Sequence, residues 1–320
     1  MAETHYANPV WPGYMADPFV LRSGGVYYAF GTAPRDERNG RHFRLLRSED
    51  LAHWENLGGA LTPLDGPGLT HYWAPEVAER DGTFYMYYSA GGPSGDGHRL
   101  RVATADRPEG PFTDTGRLIL PDEPFSIDAS PFRDPQDGRW YLFFAKDFLD
   151  GDRPGTGTAV IPLADDMVSL AGKMRTVVRA SADWQIFERD RPWLGRAWEK
   201  WHTVEGPFCV FHEGLYYCLY SGSLWNGPDY GVGYGVAEHP LGPWRDASAD
   251  GPSVLRGIPG EVLGPGHNSV VLGPDGRTEY VVYHAWDPEM TARRMCIDPL
   301  VWTPDGPCCA GPTSTVQAVR

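Results

Sequence analysis

Short runs of apolar and aromatic residues, punctuated by glycine-containing turns, dominate the chain. Five of them stand out: VYYAF from Val26, FYMYY from Phe84, WYLFF from Trp140, LYYCLY from Leu215 and EYVVY from Glu279. Aromatic and β-branched side chains suit a pleated, packed surface, so each run predicts a strand. A turn pair stands just ahead of each run: Gly24-Gly25, Asp81-Gly82, Asp137-Gly138, Glu213-Gly214 and Asp275-Gly276. Glycine supplies the positive φ that two-residue hairpins require, so each pair predicts a tight turn from a preceding strand. Those preceding strands open on Pro18, Pro75, Pro131, Pro207 and Val270, which stand nine residues before Tyr27, Phe84, Trp140, Tyr216 and Glu279 of the aromatic runs.

A weaker pattern follows three of these hairpins. RLLRSEDLAHWENLG from Arg44, RVATADRPEGPFTDTG from Arg101 and YGVAEHPLGPWRDA from Tyr234 each give a strand, a polar turn and a Trp or Phe near a further strand. Four antiparallel strands, repeated five times at roughly 60-residue spacing, predict an all-β fold: a five-bladed β-propeller forming one domain over residues 1–320. No helix beyond about two turns is predicted. Residues 179–200, interrupted by Pro192 and Gly195, read as a long loop lining a cleft with Trp184, Phe187, Trp193, Trp198 or Trp201. The stretch MCIDPLVWTPDGP from Met295 supplies only part of a last blade. The N-terminal segment THYANPVW from Thr4 is therefore expected to complete it and close the ring, because a closed ring leaves no free sheet edge.

Composition narrows the partners. A formal charge of −14 argues against nucleic acid, which needs Lys and Arg to neutralise phosphates, and against an anionic membrane surface. A neutral sugar is indifferent to it. Cys209, Cys218, Cys296, Cys308 and Cys309 form an odd set without a CxxC spacing, which argues against a disulfide framework or a structural zinc site. The N-terminus has no basic stretch followed by an apolar one, and no apolar run is long enough to span a bilayer. The expectation is a cytoplasmic protein, with secretion as the alternative if the sequence has been trimmed.

The heads of the five repeats differ. Asp17 stands one residue before Pro18, Asp128 three before Pro131, Glu205 two before Pro207 and His267 three before Val270. The first strand of each propeller blade lines the central axis, so three carboxyl groups and an imidazole should meet at one mouth of the channel. Like charges at short range raise at least one carboxyl pKa. A neutral acid beside an ionised base is what glycosidic-bond hydrolysis needs. Glu76, one residue after Pro75, is expected to turn away from the axis as a structural residue. GVGYGVA from Gly231 imitates a dinucleotide loop but reads as a glycine-rich strand. His71, His98, His202 and His284 show no metal-ligand spacing.

Five short motifs then carry a family resemblance: ADPFV from Ala16, YWAPEV from Tyr72, SIDASPF from Ser126, VEGPF from Val204 and GPGHNSV from Gly264. In this order, over residues 9–307, the chain resembles glycoside hydrolase family 43, five-bladed propellers that cleave arabinofuranosyl and xylosyl linkages with inversion. The resemblance implies a catalytic domain that acts on oligosaccharide or polysaccharide. It implies Asp17 as general base, Glu205 as general acid and Asp128 as the carboxylate that orients the acid and raises its pKa. It implies that His267 holds a water or a metal ion, calcium in particular, near the axis; no cofactor is required. Trp73 corresponds to an aromatic wall for the sugar, Arg293 to a substrate-contacting arginine with Arg294 beside it, and Trp225 lines the leaving-group side. The form of GPGHNSV and the lack of the β-sandwich appended to many β-xylosidases of the family point to α-L-arabinofuranosyl substrates, with β-xylosides as the alternative. Two rivals are weighed. A retaining fructosidase is suggested by Arg133-Asp134-Pro135, which instead falls in a hairpin. A propeller that only binds carbohydrate would not need base, acid and modulator positions all filled.

Overall fold

The computed structural model describes residues 4–64, 66–95 and 97–320. Among these the one helix is a single 3₁₀ turn at Asp183–Gln185. After a short strand β1 (His5–Tyr6), blade one comprises β2 (Ala16–Ser23), β3 (Val26–Thr32), β4 (His42–Ser48) and β5 (Glu55–Leu61). Blade two comprises β6 (His71–Arg80), β7 (Thr83–Gly91), β8 (Arg99–Ala105) and β9 (Thr113–Leu118). Blade three comprises β10 (Ser126–Arg133), β11 (Trp140–Phe148), β12 (Gly155–Pro162) and β13 (Arg175–Thr176). A further strand, β14 (Ile186–Trp193), pairs with the first half of β15 (Arg196–His212). The second half of β15 opens blade four, which continues through β16 (Leu215–Gly222), β17 (Gly231–Ala237) and β18 (Arg245–Asp246). Blade five comprises β19 (Leu263–Leu272), β20 (Glu279–Trp286), β21 (Arg293–Thr303) and β22 (Gly306–Cys309); β23 (Gln317–Ala318) follows. The molecule is a five-bladed β-propeller.

The aromatic runs are explained by where their two faces go. Along β3, Tyr27 and Ala29 pack with residues of blade five, whereas Tyr28 and Phe30 pack with blade two. Successive side chains point to opposite faces of a strand, and here both faces are covered by a neighbouring blade. The strand therefore has no solvent side and reads as a continuous apolar run. Each core cluster fills one interblade wedge, and the last, with Val20, Tyr27 and Leu46 against Tyr280, Val282 and Ile297, joins blade five to blade one.

Three local expectations change. Residues 179–200 are mainly a hairpin, not a loop: β14 and β15 pair from Ile186↔His202 to Trp193↔Arg196, and Leu194-Gly195 makes the turn with both residues at positive φ. Blade five takes all four strands from residues 263–309, because the tail folds back through Pro304-Asp305 into β22. The N-terminal segment therefore gives that blade no strand. It pairs β1 with β23, and Trp11 makes one bridge to Met295 on the edge of β21 that faces away from β20. Finally, the predicted two-residue turns hold in blades one, two and four, whose flanking pairs are Ser23↔Val26, Arg80↔Thr83 and His212↔Leu215. In blades three and five the ladder stops at Arg133↔Trp140 and Leu272↔Glu279. Asp137-Gly138 and Asp275-Gly276 sit inside these longer loops, where Asp134 and Asp275 accept backbone N–H groups.

Candidate active site

The first strand of every blade carries the same irregularity. The ladder skips between Ala16 and Phe19, Trp73 and Glu76, Ile127 and Ser130, Glu205 and Phe208, and Gly266 and Ser269. Inside each skip one residue is left-handed: Asp17 at φ 50°, Ala74 at 49°, Asp128 at 56°, Gly206 at 55° and His267 at 47°. A bulge re-aims side chains out of the regular alternation. A non-glycine residue held left-handed costs on the order of 1–3 kcal/mol, so the strain is spent on aiming these groups. The bulge also supplies the true register. Asp17, Asp128 and His267 are equivalent, and Trp73 and Glu205 share the position one residue earlier. The proline-anchored alignment was two residues out in blades three and five.

The bulges face a cavity of about 700 Å³. All seven residues singled out from the sequence, Asp17, Trp73, Asp128, Glu205, Trp225, His267 and Arg293, line it. Asp17 sits in a cationic and imidazole-rich corner. Its Oδ1 lies 3.2 Å from an Arg293 guanidinium nitrogen, 3.5 Å from His267 Nδ1 and 3.4 Å from His284 Nδ1. Burial alone would raise the Asp17 pKa, but His267, Arg293, His284 and the Thr32 hydroxyl together hold it well below the usual carboxylate range. The Asp17 N–H donates to His284 Nδ1 at 3.1 Å, which places the proton of neutral His284 on Nε2. Burial pushes the pKa of both His267 and His284 down, so near pH 7, where both rings are neutral, the charge that keeps Asp17 ionised is that of Arg293. Arg293 also donates to the Tyr14 hydroxyl at 3.1 Å and lies 4.6 Å over the Trp225 ring, while Arg294 turns away to Asp287. The blade-five arginine at the site is thus Arg293.

The cavity's other two carboxyls, Glu205 and Asp128, are shifted towards their neutral forms. Burial is the main cause that lifts Glu205 to about 7, and the Asp17 charge adds to it. The Tyr230 hydroxyl, which donates to Glu205 Oε1 at 2.9 Å, opposes the rise, as do Arg293 and Arg191. Asp128 is raised well above the usual carboxylate range, first by burial and then by the charges of Glu205 and Asp17. Asp128 Oδ2 accepts the Gly206 N–H at 3.0 Å, which ties it to the residue next to Glu205. These two carboxyls titrate as a pair, and the pair keeps a proton into neutral pH. Gly206 leaves room for its neighbour, since a Cβ there would stand 3.2 Å from His267 Cγ.

Aromatic walls complete the cavity. Trp73 is backed by His98, stacked at 3.6 Å and 17°, and Trp225 by Trp286 at 5.7 Å and 24°. From the 179–200 segment, Phe187 and Trp193 reach the cavity. Trp198 and Trp201 are buried beneath the hairpin, and Trp184 stacks on Tyr220. Pro34 and Arg35 of blade one and Pro93 to Gly95 of blade two form part of the rim; Asp96, in the same blade-two loop, lies outside the described residues. Glu76 does not line the cavity. It is buried two residues past the bulge, bonded to Ser130, and its charge adds to the rise of Asp128. Asp134 accepts the Tyr216 hydroxyl at 2.8 Å in its hairpin, and GVGYGVA is β17.

Protein atoms alone do not supply a calcium shell at His267. Calcium takes six to eight oxygen ligands, whereas His267 faces Asp17 Oδ1, which Arg293 already bonds. Among the described residues no group of three or more His, Cys, Asp or Glu is arranged to hold a metal. Sequence reasoning missed Tyr14, Tyr230 and His284. His284 has no motif spacing to mark it, yet it is the ladder partner of Gly266, directly beside the His267 bulge.

The model of glycosyl hydrolases family 43 matches residues 6–308. The chain is 29% identical over 323 residues to the beta-D-galactofuranosidase xynD of Aspergillus niger, covering 95% of this chain and 84% of that protein. It is 28% identical to an extracellular exo-alpha-(1->5)-L-arabinofuranosidase of Streptomyces chartreusis, covering 88% and 82%. Its fold matches the crystal structure of a thermostable family-43 glycoside hydrolase with a TM-score of 0.83 and 33% identity, over 97% of both chains.

Proposed function

The chain belongs to glycosyl hydrolase family 43 and is a glycoside hydrolase, and from that premise we propose that it cleaves α-L-arabinofuranosyl linkages by single displacement with inversion. The feature that carries this reading is a pair of unlike carboxyls in one cavity: Asp17 is held well below the usual carboxylate range and Glu205 is lifted to about 7. Ionised Asp17 takes a proton from a water that attacks the anomeric carbon. Glu205 gives its proton to the glycosidic oxygen on the other face, so the bond to the leaving group breaks as the bond to water forms. Arg293 holds Asp17 in its ionised form, and Asp128, through the Gly206 N–H, fixes the backbone beside the acid. The furanoside assignment is supported by two relatives named as furanosidases, of arabinose and of galactose.

The test is hydrolysis of 4-nitrophenyl α-L-arabinofuranoside, β-D-galactofuranoside and β-D-xyloside side by side, with Asp17→Ala as the blank. Turnover of the arabinoside above the other two, abolished in the variant, is the expected result. Preference for the xyloside or the galactofuranoside overturns the sugar and keeps the mechanism. Retained sugar binding with no turnover on a polysaccharide panel would make this a binding protein.

A further inference from the structure

We propose that Ser221 is a positioning residue of the reaction. With its oxygen bonded by the His267 N–H, it turns its own proton to the Tyr230 oxygen, so that the Tyr230 hydroxyl donates to Glu205 and the acid carries its proton on Oε2. The inference rests on Glu205 being the acid.

The bulges are tied from blade to blade. Among the described residues, the N–H of a left-handed residue is accepted by a side chain of the preceding blade at four junctions: Ala74 by Thr32 Oγ1 at 2.8 Å, Gly206 by Asp128 Oδ2 at 3.0 Å, His267 by Ser221 Oγ at 2.7 Å and Asp17 by His284 Nδ1 at 3.1 Å. Thr32, Ser221 and His284 hold one equivalent position. Each is the ladder partner of the residue just before its own blade's left-handed residue. Blade three has Ala145 there, whose side chain offers no acceptor, and Asp128 takes the N–H instead.

A hydroxyl has one proton to give. Where its oxygen already accepts a backbone N–H, that proton points away from the nitrogen. Thr32 bonds Asp17 with it, directly on the base. Ser221, fully buried, bonds Tyr230 and opposes the rise of its pKa, as a donor to the phenolic oxygen does. Both side chains lie against Gly266, where a Cβ would stand 3.0 Å from Ser221 Oγ and 2.4 Å from Tyr230 Cε1. Tyr230, accepting from Ser221, has its own proton left for Glu205 Oε1 at 2.9 Å. In a protonated carboxyl with Oε1 as the accepting carbonyl oxygen, the proton sits on Oε2. Equivalent hydroxyls thus serve the base directly and the acid through a tyrosine.

The test is the alkaline limb of kcat/KM against pH on an aryl glycoside that the wild type turns over, for Ser221→Ala alone and combined with Tyr230→Phe. Successive hydrogen bonds strengthen one another by about 10–30%, and the Tyr230 bond lowers the acid by about 1–2 pH units. Ser221→Ala should therefore move the limb up by about 0.2–0.6 unit in the wild-type background. In the Tyr230→Phe background it should move it by less than about 0.1 unit, because the chain is already broken. Loss of the His267 anchor alone would lower rate and thermal stability alike in both backgrounds and leave the limb in place. Ser221→Cys, which keeps the site filled with a weak donor, is read the same way should the alanine variant not fold. A limb that stays in place in the wild-type background, or moves equally in both, would overturn the inference. Failure of the hydrolytic reading shows differently, as no wild-type turnover or a limb that Tyr230→Phe itself leaves unmoved, and removes the inference with it.

Discussion

Replacing Tyr230 by Phe isolates one bond to the acid. The Tyr230 hydroxyl donates to Glu205 Oε1 at 2.9 Å. Its ring is pinned by a parallel contact with His284 at 5.9 Å and by Gly266, where a Cβ would stand 2.4 Å from Tyr230 Cε1. Phenylalanine keeps that packing and removes only the donor. A hydrogen bond to a charged acceptor contributes about 1.5–3 kcal/mol, and one pKa unit is about 1.4 kcal/mol, so the Glu205 pKa should rise by about 1–2 units from its present value of about 7. The sign follows from the role of the acid. Glu205 works protonated, so activity falls as pH rises through its pKa, and the variant should hold its activity to higher pH. The assay is kcat/KM against pH on an aryl glycoside, fitted for the alkaline limb, with thermal unfolding to show an intact fold. A limb that stays in place or moves down would refute both the pairing and the assignment of Glu205 as the group that titrates.

Arg293→Met removes a cation that holds Asp17 ionised, so the acid limb of the same profile should move up into the measurable range, with a loss of at least about a hundredfold in kcat. Glu205→Gln should be more stable than wild type at pH 8 but not at pH 5. A carboxyl raised from its ordinary 4.5 to about 7 contributes fully while protonated and loses that contribution as pH rises through 7, a difference of about 2 kcal/mol by thermal or urea unfolding at the two pH values. Gly206→Ala puts a Cβ on a residue at φ 55° and 3.2 Å from His267 Cγ, so it should cost about 1–3 kcal/mol in urea unfolding and lower kcat with it.

The blades were legible because each strand is covered on both faces. VYYAF and its four counterparts announce themselves as strands without any alternation to decode, and the acids at their heads follow from the repeat. What stayed hidden depends on backbone dihedrals and on contacts between blades. Nothing in the letters says that Asp17, Asp128 and His267 are the left-handed residues of equivalent bulges, so alignment on proline slipped by two in blades three and five. Longer hairpin loops, organised by Asp134 and Asp275, absorb that slip. Tyr230 precedes β17 as an ordinary aromatic residue, and only the folded blade four, with the ring held against His284 of blade five, brings its hydroxyl to Glu205. The 179–200 hairpin was obscured by Pro192 and Gly195, residues that usually end strands. Here Gly195 makes the turn, and Pro192 lies on β14, whose other edge pairs with no strand among the described residues.

The central claim is that Glu205 delivers the proton and Asp17 takes one. It is tested most directly by the rate of Glu205→Ala on an unactivated disaccharide and on a 4-nitrophenyl glycoside of the same sugar. The nitrophenolate leaves with little protonation, so the account predicts a loss on the disaccharide at least about a hundredfold greater than the loss on the aryl glycoside, with Asp17→Ala inactive on both. Equal losses of the Glu205 variant on the two substrates would contradict it.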